Sequence, residues 1–421
     1  MNTNRIMNSK LIYDPIHGYI ELPQICIKII DTHYFQQLRY KKQLGAAYYV
    51  FPGASHNRFE HSIGTCYLAG KLIKQLKLTQ PELNISNNDV ELIMIAGLVH
   101  DIGHGPLSHL FDDIVIKEET KYKHHEYRSG LILEKIVKTY NINLSDDDII
   151  KIKEYINPSV NNTGYMYQII ANKLNNLDVD KFDYLMRDSK NIGLSYSIDC
   201  SRLIMQARVI NNEICYPEKL IYSIYELFAI RYRLHREIYT HPCVQQIEYM
   251  FADVLKLSEP HYYITKSIYD MDKFIEFTDC IFNIIEFSNN PVLEEAKQLM
   301  LNIRQRKLYK YVGDIYRTTN EEYNEQHVLQ FSNTLLFEDI IVSNITRGYT
   351  NSDMNPVDNI SFYKLNELDV SFKLQKEKVS ELLPIKFNEK ITRVFCKNPD
   401  KYEEVKRAFD LFNESILLNK I

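Results

Sequence analysis

The sequence lacks any run of about 20 apolar residues, the length that a helix needs to cross a bilayer. Its first ten residues contain no apolar stretch of the kind found in secretory signal peptides. The seven cysteines are widely scattered and include no Cys-x-x-Cys pair, which is typical of a protein kept in a reducing compartment. These absences predict an intracellular protein, cytoplasmic or nuclear, without a membrane partner.

Positive charge is not in excess, because the formal net charge is −5 at pH 7. No global basic field therefore attracts nucleic acid, and any anion must be bound by local groups. Internal repeats and low-complexity linkers are absent as well. With 421 residues the chain is too long for one ordinary core, so two or more packed lobes are expected.

The pattern of apolar residues changes along the chain. Residues 1–57 are rich in turn signals, whereas residues 58–256 show helical periodicity. Further helices are predicted for 260–320, short strands beyond about residue 325, and a closing helix over 402–418. This pattern indicates a mainly α fold, with a large helical domain followed by a smaller α+β lobe.

Four predicted helices carry polar side chains on faces that should point inward. A capping-box start at Ser86 begins one of them, and its apolar stripe leads to His100, Asp101 and His104. The other three faces carry His61; Asp180, Tyr184 and Asp188; and Arg231, His235 and Tyr239. Burying so many ionisable groups without a ligand would be costly, which favours a functional site.

His61, His100, Asp101 and Asp180 together offer two nitrogen and two oxygen ligands. Such a set holds a divalent metal ion and leaves coordination positions open for water and phosphate. Taken singly, an inward histidine is more often a hydrogen-bonded core residue, and Arg231 more often half of an ion pair. The joint occurrence favours a metal-dependent enzyme, and the ligand set accepts Zn, Fe, Mn or Mg alike.

Long motifs are spread over the chain. They are Asp14-Pro-Ile-His-Gly-Tyr-Ile-Glu-Leu, Phe35-Gln-Gln-Leu-Arg-Tyr, Tyr48-Tyr-Val-Phe-Pro-Gly-Ala-Ser-His-Asn-Arg-Phe-Glu-His-Ser, His100-Asp-Ile-Gly-His-Gly-Pro-Leu-Ser-His, Asp178-Val-Asp-Lys-Phe-Asp-Tyr, Tyr309-Lys-Tyr-Val-Gly, Asn355-Pro-Val-Asp and Leu382-Leu-Pro. Over about residues 10 to 400 the chain thereby resembles the sterile-alpha-motif and HD-domain dNTP triphosphohydrolase family. The expectation is its catalytic part alone, without the family's N-terminal sterile-alpha-motif domain.

The resemblance implies an HD-domain helical metallohydrolase core with a smaller α+β regulatory lobe. Residues 1–57 would form effector and oligomer contacts, 58–256 the HD catalytic domain, and 257–421 the C-terminal helical and α+β lobe. The implied reaction is hydrolysis of a dNTP to a deoxynucleoside and inorganic triphosphate, with metal ligands His61, His100, Asp101 and Asp180. The metal would activate water for in-line attack at the α-phosphorus.

The resemblance also implies roles for residues around the metal. Proton handling and phosphate contact fall to His104, His109, Asp112 and His125, of which His109 and His125 would be general acid and positioning group. Helix-cap hydrogen bonding is the alternative for these four. The implied substrate-binding residues are Gln43, Leu44, Arg58, Lys181, Tyr184, Asp188, Arg231, His235 and Tyr239. Arg58, Lys181 and Arg231 would form a cationic cage for the triphosphate, and Tyr184 would exclude ribonucleotides sterically.

Two effector sites and assembly into dimers and tetramers are implied as well, with Mg accompanying the nucleotides. The site for GTP or dGTP would comprise Lys10, Leu11, Ile12, Asp31, Gln36, Arg39, Phe59 and, from a neighbouring subunit, Arg306. For Lys10 and Arg39, solvated surface charge is the alternative. The dNTP effector site would comprise Val50, Phe51, Asp199, Arg202, Lys219, His241 and Lys310.

The second effector site departs from the family pattern. An asparagine, an arginine and two lysines of the family are replaced by Tyr13, Pro217, Pro242 and Leu365, and a glutamine beside Tyr239 is Thr240. Each charge-assisted contact contributes about 1.5–3 kcal/mol, so losing several cations should weaken or reshape activation by dNTPs.

Two other functions compete with this interpretation. One is a different HD-type nucleotide phosphohydrolase, a monophosphatase or a phosphodiesterase, although three cations exceed what a monophosphate needs. The other is a single-stranded nucleic-acid-binding protein, for which basic residues lie around 202–208, 231–236 and 304–310. The net charge argues against the second alternative.

Overall fold

The computed structural model describes residues 9–196, 199–350, 353–374 and 384–418. Leu382 and the residue after it, in the last family motif, lie outside these ranges. The fold is mainly α, as predicted. Its helices are α1 (Gln24–Ile30), α2 (His33–Gln36), α3 (Arg58–Thr79), α4 (Asn87–Val99), α5 (His125–Tyr140), α6 (Asp146–Ile156), α7 (Val179–Ile192), α8 (Cys200–Met205), α9 (Ile221–Leu234), α10 (Pro242–Tyr262), α11 (Met271–Phe274), α12 (Ile281–Glu286), α13 (Glu294–Arg304), α14 (Glu325–Leu329) and α15 (Tyr402–Leu418).

Nine strands in the described ranges form three small sheets. They are β1 (Ser9–Asp14), β2 (Gly18–Pro23), β3 (Arg208–Ile210), β4 (Glu213–Pro217), β5 (Lys310–Arg317), β6 (Ile340–Gly348), β7 (Ser361–Lys364), β8 (Glu367–Lys373) and β9 (Asn388–Cys396). Strands β1 and β2 pair as an antiparallel hairpin, and the other sheets have the orders β3-β4-β7-β8 and β5-β9-β6.

Two expectations of helix are wrong. Residues 208–217 form the hairpin β3–β4, and residues 310–317 form β5. Strand β9 lies in the middle of its sheet and pairs with β5 on one side and β6 on the other. Residues 310–317 therefore gain a ladder of long-range hydrogen bonds that a short local helix could not supply.

The helical core is built around α3 and α4, which pack along each other. Helix α4 begins at the capping box of Ser86, as predicted, because the Ser86 hydroxyl accepts the Asp89 N–H at 3.0 Å. It ends at Val99, so the expected continuation of its stripe through His104 is wrong. His100 instead caps the helix, and tight turns follow.

The C-terminal lobe has a second core between the sheet β5-β9-β6 and α15. The closing helix runs over 402–418, as predicted, and buries Phe409 and Phe412 against Val312 and Val394. Within the described residues, no helix is both long and apolar enough to cross a membrane.

Candidate metal and nucleotide site

The four predicted metal ligands converge from two helices and one turn. His61 lies in the first turns of α3 and is fully buried. His100 and Asp101 follow the end of α4 and are buried as well. Asp180 enters from the first turn of α7, whose N-cap is Asp178. The helix ends thus bring side chains together that lie far apart in the sequence.

Ligand atoms of three of these residues, His61, His100 and Asp180, lie at the spacings of one coordination sphere. His61 Nε2 is 3.3 Å from His100 Nε2 and 3.1 Å from Asp180 Oδ1, and the latter two atoms are 3.4 Å apart. The Asp101 carboxylate lies 3.6 Å from His61 Nε2 and 3.5 Å from His100 Nε2. Ligands bound about 2.1 Å from one ion are themselves about 3.0–3.4 Å apart, so His61, His100 and Asp180 fit one metal ion. Asp101 lies slightly farther off, with Oδ2 facing His61 and Arg58 and Oδ1 facing His100, and it groups with His104 and His125.

The other ring nitrogens of both histidines are already engaged. His61 Nδ1 lies 2.8 Å from Asp183 Oδ2, and His100 Nδ1 lies 2.9 Å from the carbonyl of Gly97. Both acceptors require the proton on Nδ1, which leaves the Nε2 lone pairs facing each other. A carboxylate or carbonyl behind a histidine is the usual support of a metal-ligating imidazole.

Asp183 is the carboxylate that organises this support. It lies 2.7 Å from His17 Nε2 and accepts the Arg187 Nε and Nη2 hydrogens at 2.7 and 2.8 Å. Burial opposes its ionisation, but Arg187 and the two histidines hold the pKa of Asp183 well below its usual value. Asp183 therefore stays charged and fixes the orientation of His61.

Negative charge dominates the ligand group. Burial disfavours a charged His61, but the carboxylates of Asp180 and Asp183 outweigh it and raise the pKa of His61 to about 10. The pKa of His100 is also raised against burial, first by Asp101. An imidazole that gains a proton so readily lies in a negative potential, and a divalent cation would neutralise the same charges.

The predicted proton-handling residues form a second cluster beside Asp101. The rings of His104 and His125 stack at 3.8 Å, and the ring of His109 lies 5.0 Å from that of His104. His125 Nδ1 lies 3.2 Å from Asp112, so its ring bonds within the cluster.

Electrostatics keeps two of these histidines neutral. Burial, followed by the nearby Arg58 and His125, lowers the pKa of both His104 and His109. The His109 side chain is nevertheless exposed to solvent. A neutral imidazole at such a place can accept a proton or hydrogen-bond a phosphate ester.

The three predicted cage cations are each anchored by the protein. Arg58 pairs with Asp101 and donates from Nε to the Ser108 hydroxyl at 2.7 Å. Lys181 Nζ lies 3.3 Å from Asp178, whose charge raises the pKa of Lys181 against the effect of burial. Arg231 donates from Nη1 to the carbonyl of Gly348 at 2.7 Å.

Among the predicted sugar- and base-facing residues, Tyr239 is held by Asp188. Its carboxylate accepts the Tyr239 hydroxyl at 2.5 Å and lies 2.7 Å from His56 Nε2. His235 and Tyr239 belong to one π-helix, with ring centroids 5.0 Å apart. Burial and Arg231 lower the pKa of His235 to about 3, so its ring is neutral at physiological pH. Gln43, Leu44 and Tyr184 are all partly buried.

A cavity of about 190 Å³ adjoins the ligand group. Its lining includes His100, Asp101, His125, Glu126, Asn172, Lys173, Asp178, Asp180 and Lys181. Metal ligands, one proton-handling histidine and one cage cation therefore share a single open space.

Predicted residues of the first effector site lie on the N-terminal segment and α3. The Arg39 guanidinium stacks 3.6 Å above the Phe59 ring and donates from Nε to the Gln36 side chain at 2.8 Å. Asp31 caps α1 with its side chain exposed, and Lys10, Leu11 and Ile12 form β1. Arg306 contacts Tyr49 and Cys243 within the chain instead of this group.

Predicted residues of the second effector site are spread over several elements. Phe51 and His241 lie with their rings 5.6 Å apart. Asp199 N-caps α8 and lines, with Arg202, a separate cavity of about 180 Å³. Val50 is partly buried, and Lys219 and Lys310 are exposed.

Several residues of the site have no role in the sequence prediction. Asp183 and His17 support His61, and Lys41 donates from its buried amine to the carbonyl of His104. Arg128 pairs with Asp112. His17 and Asp183 could have been singled out, because both lie in the long family motifs. The doublet Lys41-Lys42 contains nothing that indicates a buried amine.

Comparison with known proteins identifies the family. The HD domain model matches residues 58–188, which contain all four ligands. The deoxynucleoside triphosphate triphosphohydrolase SAMHD1 homolog of Dictyostelium discoideum is 40% identical over 411 residues, covering 96% of this chain and 80% of that protein. Human deoxynucleoside triphosphate triphosphohydrolase SAMHD1 is 38% identical over 93% of this chain and 71% of its own length. A putative HD domain-containing protein of Acanthamoeba polyphaga mimivirus is 36% identical over 93% of both chains. The chain belongs to the SAMHD1 family of deoxynucleoside triphosphate triphosphohydrolases.

Proposed function

We propose that the protein hydrolyses dNTPs to deoxynucleosides and inorganic triphosphate at the site of His61, His100, Asp101 and Asp180. The observation that carries the proposal is the 3.1–3.4 Å spacing of the ligand atoms of His61, His100 and Asp180, with Asp101 and three anchored cations beside them. A divalent metal bound there supplies Lewis acidity toward a phosphoryl oxygen and a lower pKa for bound water. Zn, Fe, Mn and Mg all accept this ligand set.

The chain's own residues would place and polarise the triphosphate. Lys181 lines the cavity, and Arg58 and Arg231 are anchored on two other elements; their fixed positive charges would attract the negative charge of the phosphates. The neutral rings of His104 and His109 can accept a proton from the attacking water, and a ring that has gained this proton could pass it to the departing 5′ oxygen. Asp112 would orient His125, which lies 3.2 Å away.

The sugar and base would lie against Tyr184, His235 and Tyr239. The Tyr239 hydroxyl is fixed by Asp188, and Asp188 by His56, so the ring has little freedom. Tyr184 would be the side chain that rejects an additional 2′-hydroxyl by steric overlap. This arrangement supports a preference for deoxynucleotides.

Product analysis tests the proposal. The protein is incubated with each dNTP and Mg, Mn, Fe or Zn, and products are separated by anion-exchange chromatography. Deoxynucleoside plus triphosphate is expected. Pyrophosphate or orthophosphate as the phosphorus product would contradict the proposal and would favour another HD phosphohydrolase.

Variants connect the reaction to the ligand group. His100→Ala should lose bound metal, measured by mass spectrometry of the ashed protein, together with turnover. The matched control is Asp272→Asn, which removes a surface carboxylate bonded to Tyr34 and Lys135. Full activity of His100→Ala would contradict the assignment of His100 as a metal ligand. So would an equal loss of metal and turnover in Asp272→Asn.

Effector binding and assembly are further parts of the proposal. The Arg39–Phe59 stack and the exposed Asp31 support a site for the base of GTP or dGTP on the N-terminal segment. Arg306 would complete it from a neighbouring subunit of a dimer or tetramer. A dNTP would bind around Asp199 and Arg202, with Mg on the phosphates.

A further inference from the structure

Thr240 lies directly after the π-helix that carries His235 and Tyr239. Its N–H donates to the carbonyl of His235 at 3.0 Å, and its hydroxyl donates to the same carbonyl at 2.7 Å. Two hydrogen bonds from one residue therefore fix the backbone at the start of the π-helix.

The C-terminal sheet contacts Thr240 through two arginines. Arg347, on β6, donates from Nε to the Thr240 hydroxyl at 2.6 Å and from Nη2 to the Thr240 carbonyl at 3.2 Å. Arg393, on β9, donates from Nη1 to that carbonyl at 2.6 Å and is held by Asp314 through two bonds of 2.7 Å. Both arginines are buried.

The Thr240 hydroxyl is thus acceptor and donor at once. It links the Arg347 guanidinium to the His235 carbonyl in one continuous chain of hydrogen bonds, and such chains strengthen cooperatively. The next residues after Arg347 contact the same segment at its other end, because Arg231 donates to the carbonyl of Gly348. The end of β6 therefore holds both ends of the stretch from Arg231 to Thr240.

We propose that Thr240 is a positioning residue through which the C-terminal sheet sets the placement of His235 and Tyr239 against the nucleotide. The inference rests on the proposed function, because that function gives these two side chains their role. A mobile His235 carbonyl would let both rings shift. The cost would fall on substrate binding, since the proposed arrangement assigns neither ring a metal ion or a proton transfer.

The test compares Thr240→Val, which keeps the branched shape and removes the hydroxyl, with Thr240→Ser, which keeps the hydroxyl. Val should raise KM for a dNTP roughly tenfold and change kcat less than about threefold, as expected for a lost ground-state contact. Ser should stay within about twofold of the wild type. The matched control is Tyr232→Phe, which removes another hydroxyl link to the same sheet, the 2.7 Å bond to Glu389, and should also stay within about twofold.

A double-mutant cycle between Thr240 and Arg347 provides the second measurement. Arg347→Met should reproduce the KM of Thr240→Val, and the double variant should be no worse than either, because all three break one chain. If the increases in KM of the two single variants multiply in the double variant, the inference is contradicted. So would a Thr240→Val enzyme that melts at a lower temperature but keeps KM and kcat at 25 °C, since that pattern describes a merely structural residue.

A binding experiment separates this inference from the proposed function. If the wild type releases no triphosphate, the proposed function fails. Calorimetric titration with a non-hydrolysable dNTP analogue then tests Thr240 alone. A roughly tenfold weaker Kd for Thr240→Val than for Thr240→Ser supports the positioning role, and equal Kd values overturn it.

Discussion

Lys41 gives a stability prediction whose sign depends on pH. Its side chain is fully buried, and its amine donates to the carbonyl of His104, a member of the proton-handling cluster. Burial, reinforced by Arg128 and Arg58 against an opposing Asp279, lowers the pKa of Lys41 from 10.5 to about 7. At 1.36 kcal/mol per pH unit, charging this amine in the folded protein costs about 5 kcal/mol.

The full free-energy cost of the charged Lys41 amine applies below pH 7, where both the folded and the unfolded chain carry the proton. Between about pH 7 and pH 10.5 the unfolded chain binds more protons than the folded one, so the wild type becomes more stable as pH rises. Lys41→Met removes the penalty but leaves the His104 carbonyl without its donor, which costs about 1–3 kcal/mol. The variant should be more stable than the wild type by about 2–4 kcal/mol at pH 6 and less stable at pH 10.

Urea unfolding followed by circular dichroism, at one protein concentration and at pH 6, 7, 8, 9 and 10, measures this difference. The control is Lys42→Met, whose amine donates to the Ser55 carbonyl near the surface and whose loss should cost less than about 1 kcal/mol. A difference between Lys41→Met and the wild type that stays constant from pH 6 to pH 10 would refute the reasoning.

Three further predictions concern the site and its regulation. Asp183→Asn should weaken metal retention about 10- to 100-fold, measured as metal content after dialysis against a graded chelator, because His61 loses its charged support; unchanged retention would speak against that support. Gly64→Ala should destabilise the fold by more than about 2 kcal/mol in urea unfolding, since its Cβ would overlap the Asp183 and Arg187 side chains; wild-type stability would contradict the packing. Asp31→Asn should blunt activation by GTP in the turnover assay while metal content stays the same; a normal GTP response would remove Asp31 from the effector site.

The inward faces of helices were predictable from the sequence because they follow helical periodicity. His61 shares a face of α3 with Thr65, Leu68, Leu72 and Leu76, and Asp180 lies in the first turn of α7 beside a clear N-cap. The end of α4 was misplaced because the apolar stripe continues past Val99 into residues that form turns. Helical periodicity identifies the residues that share a face of a helix, but it does not identify the residue at which the helix ends.

Long-range partners were less accessible to sequence reasoning. The buried Lys41 depends on Asp279, more than 200 residues away, and a lysine doublet ordinarily indicates a solvated surface. The helix prediction for β5 failed because the strand owes its form to pairing with β9, some 75 residues later. In the same way, only the tertiary contact of Arg347 reveals a function for the hydroxyl of Thr240.

The contacts of Asp183 determine how the protein can be divided. The segment 58–188 contains every predicted ligand, yet His17 and Asp14, which bind Asp183 and Arg187, belong to the N-terminal hairpin. An excised segment 58–188 would keep the four predicted ligands. It would lose His17 as a neighbour of Asp183 and Asp14 as a neighbour of Arg187. The hairpin and the helices therefore both contribute residues that support the predicted metal ligands. A shortened version for biophysical work must begin before Asp14.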